Sequence, residues 1–154
     1  MIALDYIGFL GPVILISISY AYMFFYEFHQ KILFTEIILI NILLNFFLKR
    51  IFRQPRPKKQ LEISIPFLDG FIFKDFGMPS GHAQIAAFVT TFFLLYAKQY
   101  KYIIGTIFIA ITISTLYQRY KYRAHSIFQI IIGAIIGVLM GLTNFYFEIV
   151  KINL

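Results

Sequence analysis

Three short polar segments interrupt a mostly apolar chain, and together they hold two histidines and several cations. These segments are residues 49–57, 77–82 and 119–125. Lys49, Arg56 and Arg119 offer an ammonium group and two guanidinium groups, which bind phosphate oxygens well. His82 and His125 can exchange protons near neutral pH, and an imidazole can also attack phosphorus as a nucleophile. These residue types favour phosphoryl transfer.

The second segment leads directly from a glycine-containing turn into an apolar run. Such a turn at a helix N-terminus leaves backbone N–H groups that bind an anion. Ser80 and Gly81 lie where these groups begin, and the Ser80 hydroxyl could bind the same anion. Ser80 could equally be a plain helix cap. Taken alone, the segment fits a structural cap as well as a binding site.

Gln129 lies four residues after His125, so the two side chains share one face of the helix predicted there. We expect the amide to reach one imidazole nitrogen and to fix the tautomer. Each polar segment alone also fits a basic, aromatic belt at a membrane interface. Together, however, they supply the cations, N–H donors, nucleophile and acid that phosphoryl transfer needs. The nearby carboxylates lack metal-ligand spacing, so we expect neither a metal nor another cofactor.

The remainder of the 154-residue chain has the composition of a membrane protein. Hydrophobic residues make up 60% and charged residues only 14%, so much of the surface must face lipid. The net charge of +7 comes from basic clusters between apolar runs, which favours lipid head groups or phosphate over nucleic acid. Without cysteine, disulfides and thiol chemistry are excluded.

Five apolar runs approach the roughly 20 residues needed to cross a bilayer. They are residues 6–26, 32–48, 81–97, 102–117 and 126–150. Prolines between them predict that residues 49–80 form a basic loop followed by an interfacial piece. Alternating antiparallel spans place the three polar segments at one membrane face. We therefore predict one all-α domain over residues 1–154, a multi-pass transmembrane helical bundle.

The three segments resemble the signature of the type 2 phosphatidic acid phosphatase superfamily. The matching strings are Lys49…Arg56-Pro57, Pro79-Ser80-Gly81-His82 and Arg119…His125. The resemblance implies metal-free hydrolysis of a lipid phosphate or diphosphate through a phosphohistidine. It implies that His125 is the nucleophile and that His82 protonates the leaving oxygen. It also implies a phosphate site formed by Lys49, Arg56, Ser80, Gly81 and Arg119.

Two positions depart from the general pattern of that superfamily. Gln118 replaces a serine, and Gln129 replaces the aspartate that would orient and electrostatically support the nucleophilic histidine. The strings of residues 77–84 and 120–129, the second with Gln129 four residues after His125, are similar to the dolichyl-diphosphate phosphatase branch, which favours a polyprenyl diphosphate substrate. Phosphatidic acid or a related glycerolipid is the alternative substrate. A catalytically inactive lipid-binding membrane protein is the second alternative, because glutamine brings no charge.

The orientation of the bundle has two opposing indications. Ten of the fourteen Lys and Arg residues lie on the face of the polar segments, which would place that face in the cytoplasm. The family resemblance implies a lumenal or extracytoplasmic site, and we follow the resemblance. Other polar or small residues within the spans are expected to be structural. Glu36, which shares the second span with Asn41 and Asn45, is expected to lie in the interior or to snorkel, and the stripe Gly133, Gly137 and Gly141 in the fifth span is expected to let a neighbouring helix approach closely.

Overall fold

A computed structural model of the chain describes residues 3–25, 30–61 and 76–152, with side chains to Thr143. Five helices account for most of these residues, and no strand occurs among them. The helices are α1 (Ala3–Phe25), α2 (Gln30–Phe52), α3 (Gly81–Tyr96), α4 (Lys101–Lys121) and α5 (Ile127–Ile152). The predicted all-α bundle is confirmed.

Helix α3 lies at the centre of the bundle and contacts each of the other four helices. Ten of its sixteen residues are buried, including Phe88 at its middle. Phe34 of α2 and Phe108 of α4 are fully buried in the same aromatic core. Because α3 is covered by protein, it does not itself need the length of a lipid-facing span.

Glycines on α5 allow it to pack closely against α3. A Cβ atom built at Gly133 would lie 2.5 Å from the carbonyl oxygen of Ser80, and one at Gly137 would overlap the carbonyl oxygen of Gln84. The predicted close approach of a neighbouring helix is confirmed. It places the start of α5 directly against the Ser80 turn.

Among the described residues, helices α1, α2 and α4 are long and apolar enough to cross a membrane. Helix α3 and the part of α5 up to Thr143 are shorter apolar helices. Large apolar side chains cover the outer surface; Leu43, for example, is 66% exposed. Such a surface is stable only in lipid, so the chain is an integral membrane protein.

Helices α2 and α4 run clearly past the ends of the predicted spans. Helix α4 extends to Lys121 rather than ending at residue 117, because the polar side chains of Gln118 and Arg119 are buried in the bundle instead of facing lipid. Helix α2 continues to Phe52 and so includes the start of the predicted loop 49–80. It stops where Arg53 adopts a left-handed φ of 46°, shortly before Pro55. Residues 62–75 of the predicted interfacial piece lie outside the described residues.

Candidate active site

The three polar segments meet at one end of the bundle, as predicted. Backbone hydrogen bonds connect these segments and the residues that directly follow them. They run from Gly77 N to Gln54 O (2.7 Å), from Leu61 N to Tyr122 O (3.0 Å) and from Ser80 N to Gln129 O (3.1 Å). In addition, Nζ of Lys49 donates to the carbonyl oxygen of Phe76 at 2.9 Å. Residues separated by up to 61 positions (61 and 122) are thus held in one site.

His125 lies in the turn between α4 and α5 and is 4% exposed. Its Nδ1 lies 2.7 Å from the carbonyl oxygen of Gly77. A carbonyl oxygen only accepts, so Nδ1 carries the proton and Nε2 carries the lone pair. Burial, together with the positive charges of Arg56, Lys49 and Arg119, lowers the pKa of His125 to about 3. The imidazole is therefore neutral at physiological pH, with Nε2 as a potential nucleophile.

Two buried cations surround this imidazole without an acidic partner in the described part of the chain. Lys49 is 9% exposed and Arg119 is 7% exposed. Among the described residues, an ion pair of 2.7 Å joins Lys121 to Asp5 instead. Nε of Arg119 has no hydrogen-bond partner within the described ranges. Buried charge without compensation is costly, so these side chains are suited to an incoming anion.

Arg56 completes the group of cations. It is half-buried, and its charge acts on His125 and on both buried cations. The structure thus brings all three predicted phosphate-binding cations to the predicted nucleophile. Their phosphate-binding role remains a prediction.

Ser80 caps α3, with its Oγ 3.5 Å from the N–H of Ala83. Its own backbone N–H donates to the carbonyl oxygen of Gln129. The expectation that this N–H binds phosphate is therefore wrong, because α5 already occupies it. The Ser80 hydroxyl keeps its proton as a donor, and the Gly81 N–H belongs to the first turn of α3. These two groups remain candidates for binding an anion.

His82, the predicted acid, lies in the first turn of α3. Its ring centroid is 5.8 Å from that of Phe9, on α1. Arg119 and His125 both lie within electrostatic range of it. The two histidines therefore share one site. Sequence reasoning missed Phe9, because nothing distinguishes one phenylalanine in an apolar run from the other eighteen.

Gln129 does not hold the imidazole of His125, so that predicted contact is wrong. Its Oε1 accepts from the N–H of Ser126, and its Nε2 donates to Gln54 Oε1 at 3.0 Å and to the Pro55 carbonyl at 2.9 Å. The Gln129 amide thus donates to the two residues that precede Arg56, and the carbonyl oxygen of Gly77 accepts from the imidazole instead. Gln129 therefore braces the first segment against the third, and any effect on catalysis would be through positioning.

A buried amide network connects α2 to the turn of residues 77–80 before α3, which is called the phosphate turn after its predicted role. Nδ2 of Asn45 lies 2.7 Å from Gln84 Oε1 and 3.4 Å from the Pro79 carbonyl. Gln84 Nε2 donates to the Asn41 carbonyl at 3.1 Å. The predicted structural role of both asparagines is supported, whereas Glu36 is exposed outside this network. Gln84 was not anticipated as their partner.

Helix α1 also braces the segment that carries the nucleophile. The buried carboxylate of Asp5 accepts from Lys121 Nζ at 2.7 Å and from the Tyr122 hydroxyl at 3.0 Å. Tyr122 precedes His125 by three residues, and its carbonyl receives the N–H of Leu61. No sequence pattern predicts this contact, because Asp5 and Lys121 are 116 positions apart.

A cavity of about 530 Å³ opens beside His125. Its other walls include Pro57, Lys58, Tyr120, Arg123, Ile127 and Phe128. This volume is within the range of ordinary ligand pockets. Cationic and apolar side chains therefore line one opening, which suits an amphiphile with an anionic head group.

Comparison with known proteins adds two findings. A model of the PAP2 superfamily matches residues 30–151. The fold also matches the crystal structure of a transmembrane PAP2 type phosphatidylglycerolphosphate phosphatase from Bacillus subtilis, with a TM-score of 0.73 and 20% sequence identity. That match covers 94% of this chain and 74% of the other. A search of the curated proteins finds no match.

Proposed function

The chain belongs to the PAP2 superfamily and is a lipid phosphatase, and we propose that its substrate is a polyprenyl diphosphate of the dolichyl type. The observation that carries the chemistry is the neutral, buried His125 beside buried cations that have no acidic partner in the described ranges. Such a site combines a nucleophile with positive charge where a phosphoryl group gains negative charge.

The proposed reaction has two steps. Nε2 of His125 attacks the terminal phosphorus, the bond from that phosphorus to the bridging oxygen breaks, and His82 protonates the departing oxygen. Polyprenyl monophosphate leaves. Water then gives a proton to His82 and attacks the phosphorus of the phosphohistidine, the N–P bond breaks, and inorganic phosphate leaves with both imidazoles restored. Lys49, Arg56 and Arg119 bind the phosphoryl oxygens throughout, so no metal ion is required.

The contacts of His125 support a diphosphate rather than a monoester. The imidazole is held by the neutral carbonyl of Gly77, and no carboxylate of the described chain contacts it. A nucleophile without a negatively charged partner is less activated. A diphosphate tolerates this better, because a phosphate monoester is a better leaving group than an alkoxide. The likeness of residues 77–84 and 120–129 to the dolichyl-diphosphate phosphatase branch points the same way.

A glycerolipid phosphate is the second candidate substrate. The solved structure with the same fold is named a phosphatidylglycerolphosphate phosphatase. The cations around His125 would bind the phosphate of either lipid. Only the leaving group distinguishes the two candidates chemically.

The deciding experiment is a phosphate-release assay on purified protein in detergent with excess chelator. Polyprenyl diphosphate, phosphatidylglycerol phosphate and phosphatidic acid are compared at matched detergent ratios, with His125→Ala as the control. We expect chelator-resistant release, fastest from the diphosphate and absent in His125→Ala. A clear preference for either glycerolipid would overturn the substrate proposal. No release from any lipid would support the inactive, lipid-binding alternative.

A further inference from the structure

Phe9 of α1 lies between two groups of the candidate site. Its ring centroid is 5.8 Å from that of His82, at an interplanar angle of 47°. The guanidinium carbon of Arg119 lies 5.2 Å from the same ring centroid. Phe9 is 6% exposed, so its ring faces these side chains rather than lipid. Helix α1 precedes residues 30–151, which the family model matches.

Each contact restricts a side chain that must be oriented for phosphoryl transfer. The ring face attracts the Arg119 guanidinium as a cation–π pair, and this attraction is stronger away from water. Nε of Arg119 has no hydrogen-bond partner among the described residues, so the ring is a main restraint on it before substrate binds. His82 packs on the same ring.

The position of Phe9 is fixed by close packing of α1 on α4. A Cβ atom built on Gly8 would lie 2.6 Å from both Gln118 Cβ and the Ser114 carbonyl oxygen. A glycine at position 8 thus lets the helices approach beside Arg119. The next residue on α1 is Phe9, so this approach brings its ring to the guanidinium.

We propose that Phe9 is a positioning residue for catalysis, which orients His82 toward the leaving oxygen and Arg119 toward the phosphate. The proposal rests on the roles assigned to His82 and Arg119 under the proposed function. It gives α1 a part in the reaction besides its part in the bundle. Phe9 itself touches neither the phosphorus nor the leaving oxygen.

The test uses leaving groups that differ in their need for a proton. Wild type, His82→Ala, Phe9→Leu and Phe9→Tyr are compared on an alkyl phosphate lipid and on an aryl phosphate with a tail of the same length. Removal of a general acid costs about 10²–10⁴-fold on a poor leaving group. We expect Phe9→Leu to lower kcat about tenfold on the alkyl phosphate and by about threefold or less on the aryl phosphate, as a partial loss of that acid.

The Arg119 contact gives a second readout. Phe9→Leu should raise KM on both substrates, because phosphate binding does not depend on the leaving group. Phe9→Tyr, which keeps the ring, should restore both parameters. Phe108→Leu is the matched control, since Phe108 is fully buried in the aromatic core and packs on Phe93. It should lower stability without discriminating between the leaving groups.

The outcomes separate this proposal from the proposed function. If His82→Ala discriminates between the leaving groups and Phe9→Leu does not, the proposal for Phe9 is overturned while the function stands. The same holds if Phe108→Leu behaves like Phe9→Leu. If His82→Ala does not discriminate, the acid role of His82 fails and the proposal fails with it. Should Phe9→Leu not fold, Phe9→Met fills a similar volume without a ring and tests the same expectation.

Discussion

Nδ1 of His125 and the carbonyl oxygen of Gly77 lie 2.7 Å apart, although 48 residues separate them in the chain. The tautomer of the predicted nucleophile is thus set by a backbone group of the phosphate turn. A movement of that turn would change both the anion-binding groups and the direction of Nε2. The second and third polar segments therefore act as one structural unit.

The first prediction concerns the titration of His125. Its pKa is lowered from 6.5 to about 3, so the free protein should hold it neutral throughout the physiological range. In nitrogen-15 spectra of labelled histidine, the signals of His125 are identified by their absence from the His125→Gln variant. In the wild type, these signals should remain those of the neutral Nδ1–H tautomer between about pH 5 and 7. A midpoint near 6.5 would contradict the buried, cation-surrounded site.

The same shift has a consequence for stability. The unfolded chain binds a proton at this histidine below about pH 6.5, whereas the folded chain does so only near pH 3. The contribution of His125 to the free energy of unfolding is therefore fully present above pH 6.5, the pKa in the unfolded chain. It declines as the pH falls from 6.5 toward 3.

The second prediction concerns Gln129→Asp. Because Nε2 of Gln129 donates to Gln54 and Pro55, a carboxylate there would face two acceptors and could donate to neither. We expect kcat/KM to fall about tenfold, equivalent to roughly 1.4 kcal/mol. Gln129→Glu, which keeps the side-chain length, should also lose activity. A gain in either variant would mean that residue 129 reaches the imidazole after all.

The third prediction separates the predicted phosphate-binding cations from exposed ones. Arg56→Ala and Arg119→Ala should each lower kcat/KM by about 10²–10³-fold, as expected for loss of a preorganised donor. Arg53→Ala and Lys59→Ala are the controls. Both residues are exposed with positive φ, and alanine keeps the Cβ atom and hence the backbone strain.

The controls should change kcat/KM by about twofold or less, as is common for exposed charges. Equal losses at all four positions would mean that overall positive charge, and not the defined site, is responsible for activity.

The fourth prediction concerns the glycines of α5. Gly133→Ala brings a Cβ atom to 2.5 Å from the Ser80 carbonyl oxygen. Because the clashing atom belongs to the backbone, only a shift of the backbone can remove the overlap. Overpacking of this kind costs about 1–3 kcal/mol, and here it also displaces the phosphate turn. We expect a lower melting temperature in detergent and a lower kcat/KM.

Gly141→Ala is the matched comparison, because its nearest contact is the Thr91 side chain, at 2.7 Å from Cγ2. Its effect should be confined to stability, and Thr91→Ser should relieve it only in part, because the Cβ atom at position 91 remains 2.9 Å from the added one. Loss of activity in Gly141→Ala equal to that in Gly133→Ala would show that the contact with Ser80 is not special.

The sequence predicted the helices and the convergence of the polar segments because both follow from simple patterns. Apolar runs separated by charged turns define the helices, and alternation of direction brings the ends bearing His82, His125 and the cations together. The end of α4 was misplaced for a related reason. Polarity at Gln118 and Arg119 predicts an end to the apolar span, but a polar residue buried inside a bundle can continue the helix.

The finer contacts of the site could not be read from residue types. The partner of His125 is a backbone carbonyl, and every residue has one. Gln129 has the correct spacing for the imidazole, but the spacing does not reveal that Gln54 and Pro55 compete for its amide. Asp5 and Phe9 contact the third segment only through the packing of α1 on α4.

The buried cations also affect the stability of the protein when no substrate is bound. Lys49 and Arg119 are buried, and the positive charge of Arg56 acts on both, so repulsion among these groups weakens the fold that contains them. An anion that binds only the folded state offsets this repulsion, and at 100 times its Kd it adds about 2.7 kcal/mol. Phosphate, a reaction product, would then inhibit turnover while preserving the enzyme during purification and storage.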